Sequence, residues 1–346
     1  MDPLQWKIPE EELAPKLPKN SDYGIGILGC GEIVNLAHLP AYRAAGLNVV
    51  ACYDLREEAA KRTAEKFNIP NVCRTLDELL EREDVRIVDI AFHIEGRKEA
   101  IEKAAKAKKH ILVQKPIANT LQDAEHMIAI AEKHNVKIQA NQQARWAGVY
   151  LLLKKWVQNG AIGSLNFIHF DVRGWQDDPQ TWYVKMPNFT LCDHGIHYFD
   201  LVLYFADKEP QKIAAMQTAF PGQVSVAPML YGALIFFEEG LMVCHTFHNK
   251  VEIPNPWEFR VVLDGDEGAI FCDGSKGILR RKDGTFIEQE PKSRWFPDAF
   301  LGPMADLMDA IEEDREPACS GRSNLRTLRL VLSALESAEK NTVVFL

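Results

Sequence analysis

Gly26-Ile27-Leu28-Gly29-Cys30-Gly31-Glu32-Ile33-Val34 is the stretch whose reading decides the fold. It continues an apolar run that begins at Gly24 and leads into a helical pattern, which places it at a strand-to-helix turn. Glycine at 29 and 31 lets such a turn close tightly and brings backbone N–H groups up to a pyrophosphate at the helix N-terminus. The third position of the fingerprint holds Val34 where Gly or Ala is usual, and a GxG turn alone also suits a plain βα connection. The next strand, Leu47–Tyr53, adds the second half of the pattern. It runs into Asp54, near the ~20-residue spacing at which an acid meets the adenosine ribose hydroxyls. The pair points to a dinucleotide site, with Gly29, Gly31, Glu32 and Ile33 on the phosphate side and Asp54 on the ribose side. A carboxylate there repels the 2′-phosphate of NADP and favours NAD, while the neighbouring Arg56 works the other way, since a guanidinium can receive a phosphate.

Outward from this turn, Val- and Ile-rich runs alternate with helical patterns. Strands are expected at Gly24–Leu28, Leu47–Tyr53, Arg86–Phe92, His110–Gln114 and Val136–Ala140, with helices at Glu57–Phe67, Glu95–Lys109 and Thr120–His134. Such alternation marks βαβ units and a parallel sheet. After Asn141 the texture changes. One helix, Val149–Gln158, stops at Asn159-Gly160, and short strand-like runs follow near 165–173, 212–219, 230–238, 241–248, 257–264 and 268–272. Few helices intervene until about 300–313 and 324–338, which predicts a mostly antiparallel sheet. The fold class is α/β followed by α+β. The domains are an arm at 1–22 with no core of its own, a nucleotide-binding domain at 23–143, and a second domain at 144–346.

The chain has 346 residues, 47% apolar and 26% charged, with a formal net charge of −9 and a pI near 5.6. This is an ordinary globular composition with no general basic surface, so nucleic acid and anionic membranes are not expected partners. No apolar run reaches the length of a membrane span. The N-terminal stretch lacks the basic start and apolar core of a signal peptide. Seven scattered cysteines without a CxxC read as reduced core thiols, which points to the cytoplasm.

Two further places carry chemistry. Gln114-Lys115-Pro116 sets a lysine at the C-terminal end of a buried strand, the edge where ligands gather in open α/β sheets. The competing reading is a surface lysine at a strand end. Asp193, His197 and Asp200 stand at i, i+4 and i+7 of an apolar helical pattern and so share a face. An acid behind a histidine fixes its tautomer and suits it to act as a base, although a capping Asp beside a structural His would look the same.

The glycine turn, Asp54, Gln114-Lys115-Pro116, Asn141-Gln142-Gln143-Ala144-Arg145-Trp146, Asp193-x-x-x-His197 and the C-terminal run from Ala318 together resemble the Gfo/Idh/MocA family of oxidoreductases, over roughly residues 23–346. The resemblance implies a Rossmann domain, and a C-terminal domain whose large open sheet commonly forms oligomer contacts, hence a homodimer or homotetramer. It also implies NAD(P)-linked oxidation or reduction of a hydroxyl carbon of sugars, cyclitols or related polyols. Lys115 matches the Lys of the family's Glu-Lys-Pro, and Asp193 and His197 match its Asp-x-x-x-His pair. Gln114 replaces the usual Glu, Val34 a small residue, His93 the usual Pro and Arg97 the usual His.

The expected activity is therefore hydride transfer between a secondary hydroxyl carbon and NAD. His197 would be the base, Asp193 its orienting acid and Lys115 the group that bonds the substrate oxygen. Gln114 and Lys115 would also border the cofactor. Redox-neutral glycoside cleavage or epimerisation, and a non-catalytic nucleotide sensor on the same fold, are the alternatives. Arg145, Trp146, Arg173 and Trp182 are the expected sugar-binding residues, since flat rings and polar groups suit the CH faces and hydroxyls of a pyranose; interface packing would also explain the tryptophans. No metal is expected: His245 and His248 are three apart in a strand pattern and point to opposite faces.

Overall fold

A computed structural model describes residues 3–346. By its internal contacts the chain divides into two compact units. One joins Ala14–Ala147 to Ser293–Leu328; the other joins the stretch ending at Leu13 to Gly148–Lys292 and Arg329–Leu346.

The first unit is built on six strands, β1 (Ile25–Leu28), β2 (Val49–Tyr53), β3 (Asn71–Val72), β4 (Ile87–Ile90), β5 (His110–Gln114) and β6 (Ile138–Asn141). All pair in parallel, in the order β3-β2-β1-β4-β5-β6. Every residue of β1, β4 and β6 is buried, as expected for strands covered on both faces. The connections carry α1 (Leu39–Ala44), α2 (Glu57–Phe67), α3 (Leu76–Leu80), α4 (Arg97–Lys106) and α5 (Leu121–Lys133). Thr75 and Thr120 cap α3 and α5, accepting from Glu78 N and Asp123 N. The order reverses between β1 and β4, and ligands of open α/β sheets bind outside the carboxyl ends of the strands at such a switch point. The glycine turn lies at the carboxyl end of β1 and Lys115 at that of β5.

The second unit is a nine-stranded sheet of β7 (Leu165–Arg173), β8 (Pro210–Thr218), β9 (Leu230–Phe237), β10 (Met242–His248), β11 (Glu258–Gly265), β12 (Gly268–Cys272), β13 (Gly277–Arg281), β14 (Phe286–Gln289) and β15 (Val344–Phe345). Its order is β14-β13-β12-β11-β7-β10-β9-β8-β15, antiparallel throughout except for the β7–β10 pair. On β7 the alternation buries Ile168, Phe170 and Val172 and leaves Phe167, His169 and Asp171 partly exposed. Two helices, α6 (Gly148–Gln158) and α7 (Ile196–Ala206), pack on one face, against β13 and β7. Trp156 of α6 is fully buried and lies so close over Gly277 that a Cβ there would come within 2.6 Å of its ring. The opposite face carries Leu234, 41% exposed, and Met216, 73% exposed.

Two boundaries differ from the sequence reading. The helix α8 (Leu301–Glu312) and the first part of α9 (Gly321–Lys340) group with the nucleotide-type unit. Phe300, Met304, Leu307 and Met308 recur at helical spacing and join the core cluster of Ile25, Ile27, Val34 and Tyr42. Periodicity shows that such a face is buried without showing against what. The N-terminal arm, expected to have no core of its own, docks on the second unit through its described residues up to Leu13. Leu13 is fully buried, Trp156 Nε1 donates to Trp6 O at 2.7 Å, and Ile8 exchanges bonds with the Gln289 amide.

Candidate active site

The glycine turn is shaped by close backbone approach. Gly29 has φ +99°, and a Cβ on it would sit 3.0 Å from Phe92 N. A side chain would therefore clash as well as strain the backbone. At Gly31 nothing lies within 4 Å of such an atom, so this part of the turn presents open backbone. The Asp54 carboxylate closes the turn from β2: one oxygen accepts from Cys30 N and the other from Arg56 N, each at 2.8 Å. The Arg56 Nε lies 3.5 Å from the same carboxylate. Asn35, which the sequence reading passed over, holds the turn from inside, with Nδ2 at 3.1 Å from Cys30 O, 2.9 Å from Gly31 O and 3.0 Å from Thr63 Oγ1. A hydrogen bond with Cys52, then burial, push the Cys30 thiol up, so it stays neutral inside the turn.

Beside the turn is a pocket of ≈ 300 Å³ lined by Cys30, Gly31, Glu32, Asn35, Arg56, Ala59, Arg62 and Thr63. Ile33 lies outside this lining and packs on the core, just before a π-wound turn at Val34–His38. Val34 is fully buried there. An open glycine backbone at a helix start, a carboxylate at the end of β2 and an adjoining polar pocket fit the pyrophosphate and ribose of a dinucleotide.

Lys115 follows β5. Gln114 is buried, and its side-chain Oε1 accepts from Lys115 N at 3.1 Å. The adjacent β6 pairs Asn141 with Gln114 and leads into the short turn Gln143–Trp146, which carries Arg145. The Trp146 ring lies against Gly302, where a Cβ would come within 2.1 Å of it. That face of the ring is covered by the protein's own α8, and Trp146 remains partly exposed.

In the second unit, Asp193 lies in a π-wound turn, Phe189–His194, that leads into α7. His197 stands in the first turn of α7, 6% exposed, and Asp200 is fully buried. His194 Nδ1 lies 2.6 Å from Gln176 Oε1, which also accepts from Asn249 Nδ2 at 2.9 Å. Trp182 is 49% exposed and meets Tyr183 and Phe189 edge-on. The Arg173 guanidinium pairs with Glu258 at 3.3 Å. Burial alone would raise the Asp177 carboxyl, but bonds from Ser225 N, Lys250 Nζ and Val224 N hold it below the usual range. Asp177 thus serves its loop, whereas Trp182 is left half-exposed. His245 is buried with Nε2 2.6 Å from Tyr231 OH, and burial pushes its imidazole down to about 4. Among the described residues, no three His, Cys, Asp or Glu side chains converge as a metal-ligand set.

The family model for the Gfo/Idh/MocA oxidoreductases, NAD-binding Rossmann fold, matches residues 23–142, and that for the family's C-terminal domain matches residues 150–271. The chain is 26% identical over 337 residues to the D-apiose dehydrogenase of Paraburkholderia graminis, covering 92% of this chain and 88% of the relative. It is 24% identical over 340 residues to the myo-inositol 2-dehydrogenase of Thermotoga maritima, covering 92% and 97%. An oxidoreductase of Agrobacterium radiobacter, solved with NAD+, L-tartaric acid and magnesium, has the same fold at a TM-score of 0.85, with 21% identity and coverage of 94% and 98%.

Proposed function

Because the chain belongs to the Gfo/Idh/MocA family of NAD-binding oxidoreductases, we propose that it oxidises a secondary hydroxyl of a sugar, cyclitol or related polyol. The observation that carries the reading is the pairing of a dinucleotide turn, closed by Asp54, with a lysine at the carboxyl edge of the same parallel sheet. The relatives that act on D-apiose and myo-inositol support the substrate class.

The glycine turn and Asp54 would hold NAD, which would supply the hydride-accepting nicotinamide. The hydroxyl proton goes to His197, with Asp193 orienting the imidazole, and Lys115 donates a hydrogen bond to the substrate oxygen as negative charge develops on it. Removal of the proton and the hydride leaves the ketone. Gln114 shapes the backbone at Lys115, and Arg145, Trp146, Arg173 and Trp182 are the proposed sugar-binding residues. NAD is favoured over NADP because the Asp54 carboxylate would face a 2′-phosphate; Arg56 and Arg62, which line the adjoining pocket, moderate that preference. The exposed apolar side chains on the sheet of the second unit support a homo-oligomer formed through that sheet. No helix among the described residues is long and apolar enough to cross a membrane. All seven cysteines are free thiols, which supports a cytoplasmic setting.

The test is a panel of sugars, cyclitols and polyols with NAD, followed for both NADH and sugar products. NADH formed in step with a keto product supports the proposal. Sugar conversion without net NADH would assign redox-neutral chemistry instead, and NAD binding with no turnover on any member would assign a sensor.

A further inference from the structure

The loop after β4 carries Arg97 where the resembling family has His, and the reaction sketched above leaves this residue without a role. Arg97 opens α4 and is only 5% exposed. Its Nε donates to Phe92 O at 2.8 Å, and its Nη1 donates to Gln114 O at 2.7 Å and to Pro116 O at 2.5 Å. The last two carbonyls flank Lys115. One guanidinium thus grips the backbone on both sides of the lysine and ties it to Phe92, whose N is the atom nearest to where a Cβ on Gly29 would lie. Burying a guanidinium among carbonyls costs desolvation, which its hydrogen bonds must offset. The planar fork supplies donors at fixed angles, which neither an ammonium nor an imidazole reproduces.

We propose that Arg97 is a positioning residue: it fixes the Lys115 backbone against the loop that backs the glycine turn, so that the lysine reaches the substrate oxygen in register with the cofactor. This rests on Lys115 having the role proposed above. A displacement of about 1 Å at such a group can cost on the order of 10²-fold in rate, so a clamp on the backbone is worth its desolvation.

The test separates the two claims. The first arm needs no turnover: reductive methylation of the full-length protein by formaldehyde and borohydride, read by peptide mass spectrometry as the rate at Lys115 relative to the exposed Lys133. Arg97→Lys should raise that ratio about threefold or more by letting the segment open locally, and Arg97→Gln serves if the first variant does not fold. An unchanged ratio in a folded variant overturns the proposal whether or not Lys115 is catalytic. The second arm is a double-mutant cycle on the polyol oxidised fastest in the panel. Arg97→Lys should lower kcat about 10–100-fold while the Kd for NAD stays within about twofold, and it should cost nothing further in Lys115→Met. Additive losses would overturn the proposal. Wild-type turnover in Lys115→Met would defeat the catalytic role of Lys115 instead, and the methylation ratio would still decide whether Arg97 holds the lysine.

Discussion

Asp54 accepts two backbone N–H bonds, from Cys30 and from Arg56, and so both shapes the glycine turn and sets the charge beside the proposed ribose site. Replacing it by serine keeps an acceptor while removing the carboxylate. Asp54→Ser should therefore narrow the gap between the dissociation constants for NAD and NADP, with Arg56 and Arg62 available to a 2′-phosphate. Titration of wild type and variant with both cofactors checks this, and tighter binding of NADP than NAD by the wild type would refute the basis of the preference. Asn35 and Arg97 act on a similar principle: one side-chain nitrogen of each donates to two backbone carbonyls, those of Cys30 and Gly31 at the glycine turn and those of Gln114 and Pro116 around Lys115.

At the scale of elements, β5 begins at His110, whose Nδ1 accepts from Lys137 N at 3.0 Å at the start of the β5–β6 pairing. Only an unprotonated nitrogen can accept. Burial, followed by the charges of Arg86 and Lys137, pushes this imidazole down to about 4 from an ordinary 6.5. The unfolded chain thus takes up the proton first as pH falls. The stabilisation is complete above about 6.5 and is lost as pH drops toward about 4. His110→Gln, which keeps an acceptor for Lys137, should flatten the fall of Tm with pH across that window, and an unchanged slope would show that His110 is not a source of the acid sensitivity. The strand itself was legible in the sequence, as were β1, β2, β4 and β6, because Val and Ile runs buried on both faces stand out from the helices between them. The two-residue β3 and the hairpin of β13 and β14 were not. The hairpin strands are short and carry Arg280, Arg281 and Glu288, so no apolar alternation announces them, although Asp283-Gly284, with Gly284 at φ +88°, was a turn signal in plain view. The glycine turn, Asp54 and Lys115 stand in local patterns that could be read, whereas Asp193, expected on one regular helix with His197, lies in a π-wound turn ahead of α7 that the apolar pattern does not reveal. The grip of Arg97 on residues 114 and 116, and the approach of Gly302 to Trp146, are made between segments distant in sequence, where local pattern carries no information.

At the scale of the whole molecule, the outer face of the nine-stranded sheet exposes Met216 and Leu234, on the adjacent strands β8 and β9. A stable interface removes about 1,600 Å² from water in total, and an open sheet face is broad enough to supply its share. Leu234→Lys should shift the protein toward smaller species by size-exclusion chromatography with light scattering, and a wild type that runs as a monomer would sink the proposed assembly. The central claim concerns the division of labour in catalysis, and it is tested most directly by comparing His197→Ala with Lys115→Met on the best polyol of the panel, across pH. His197→Ala should lower turnover by ~10²–10⁴-fold and remove the base's ionisation from the pH profile, with NAD affinity near wild type. Lys115→Met should lose turnover while keeping that ionisation. Near-normal turnover in His197→Ala, with both the rate and the ionisation lost in Lys115→Met, would make Lys115 the base and contradict the account.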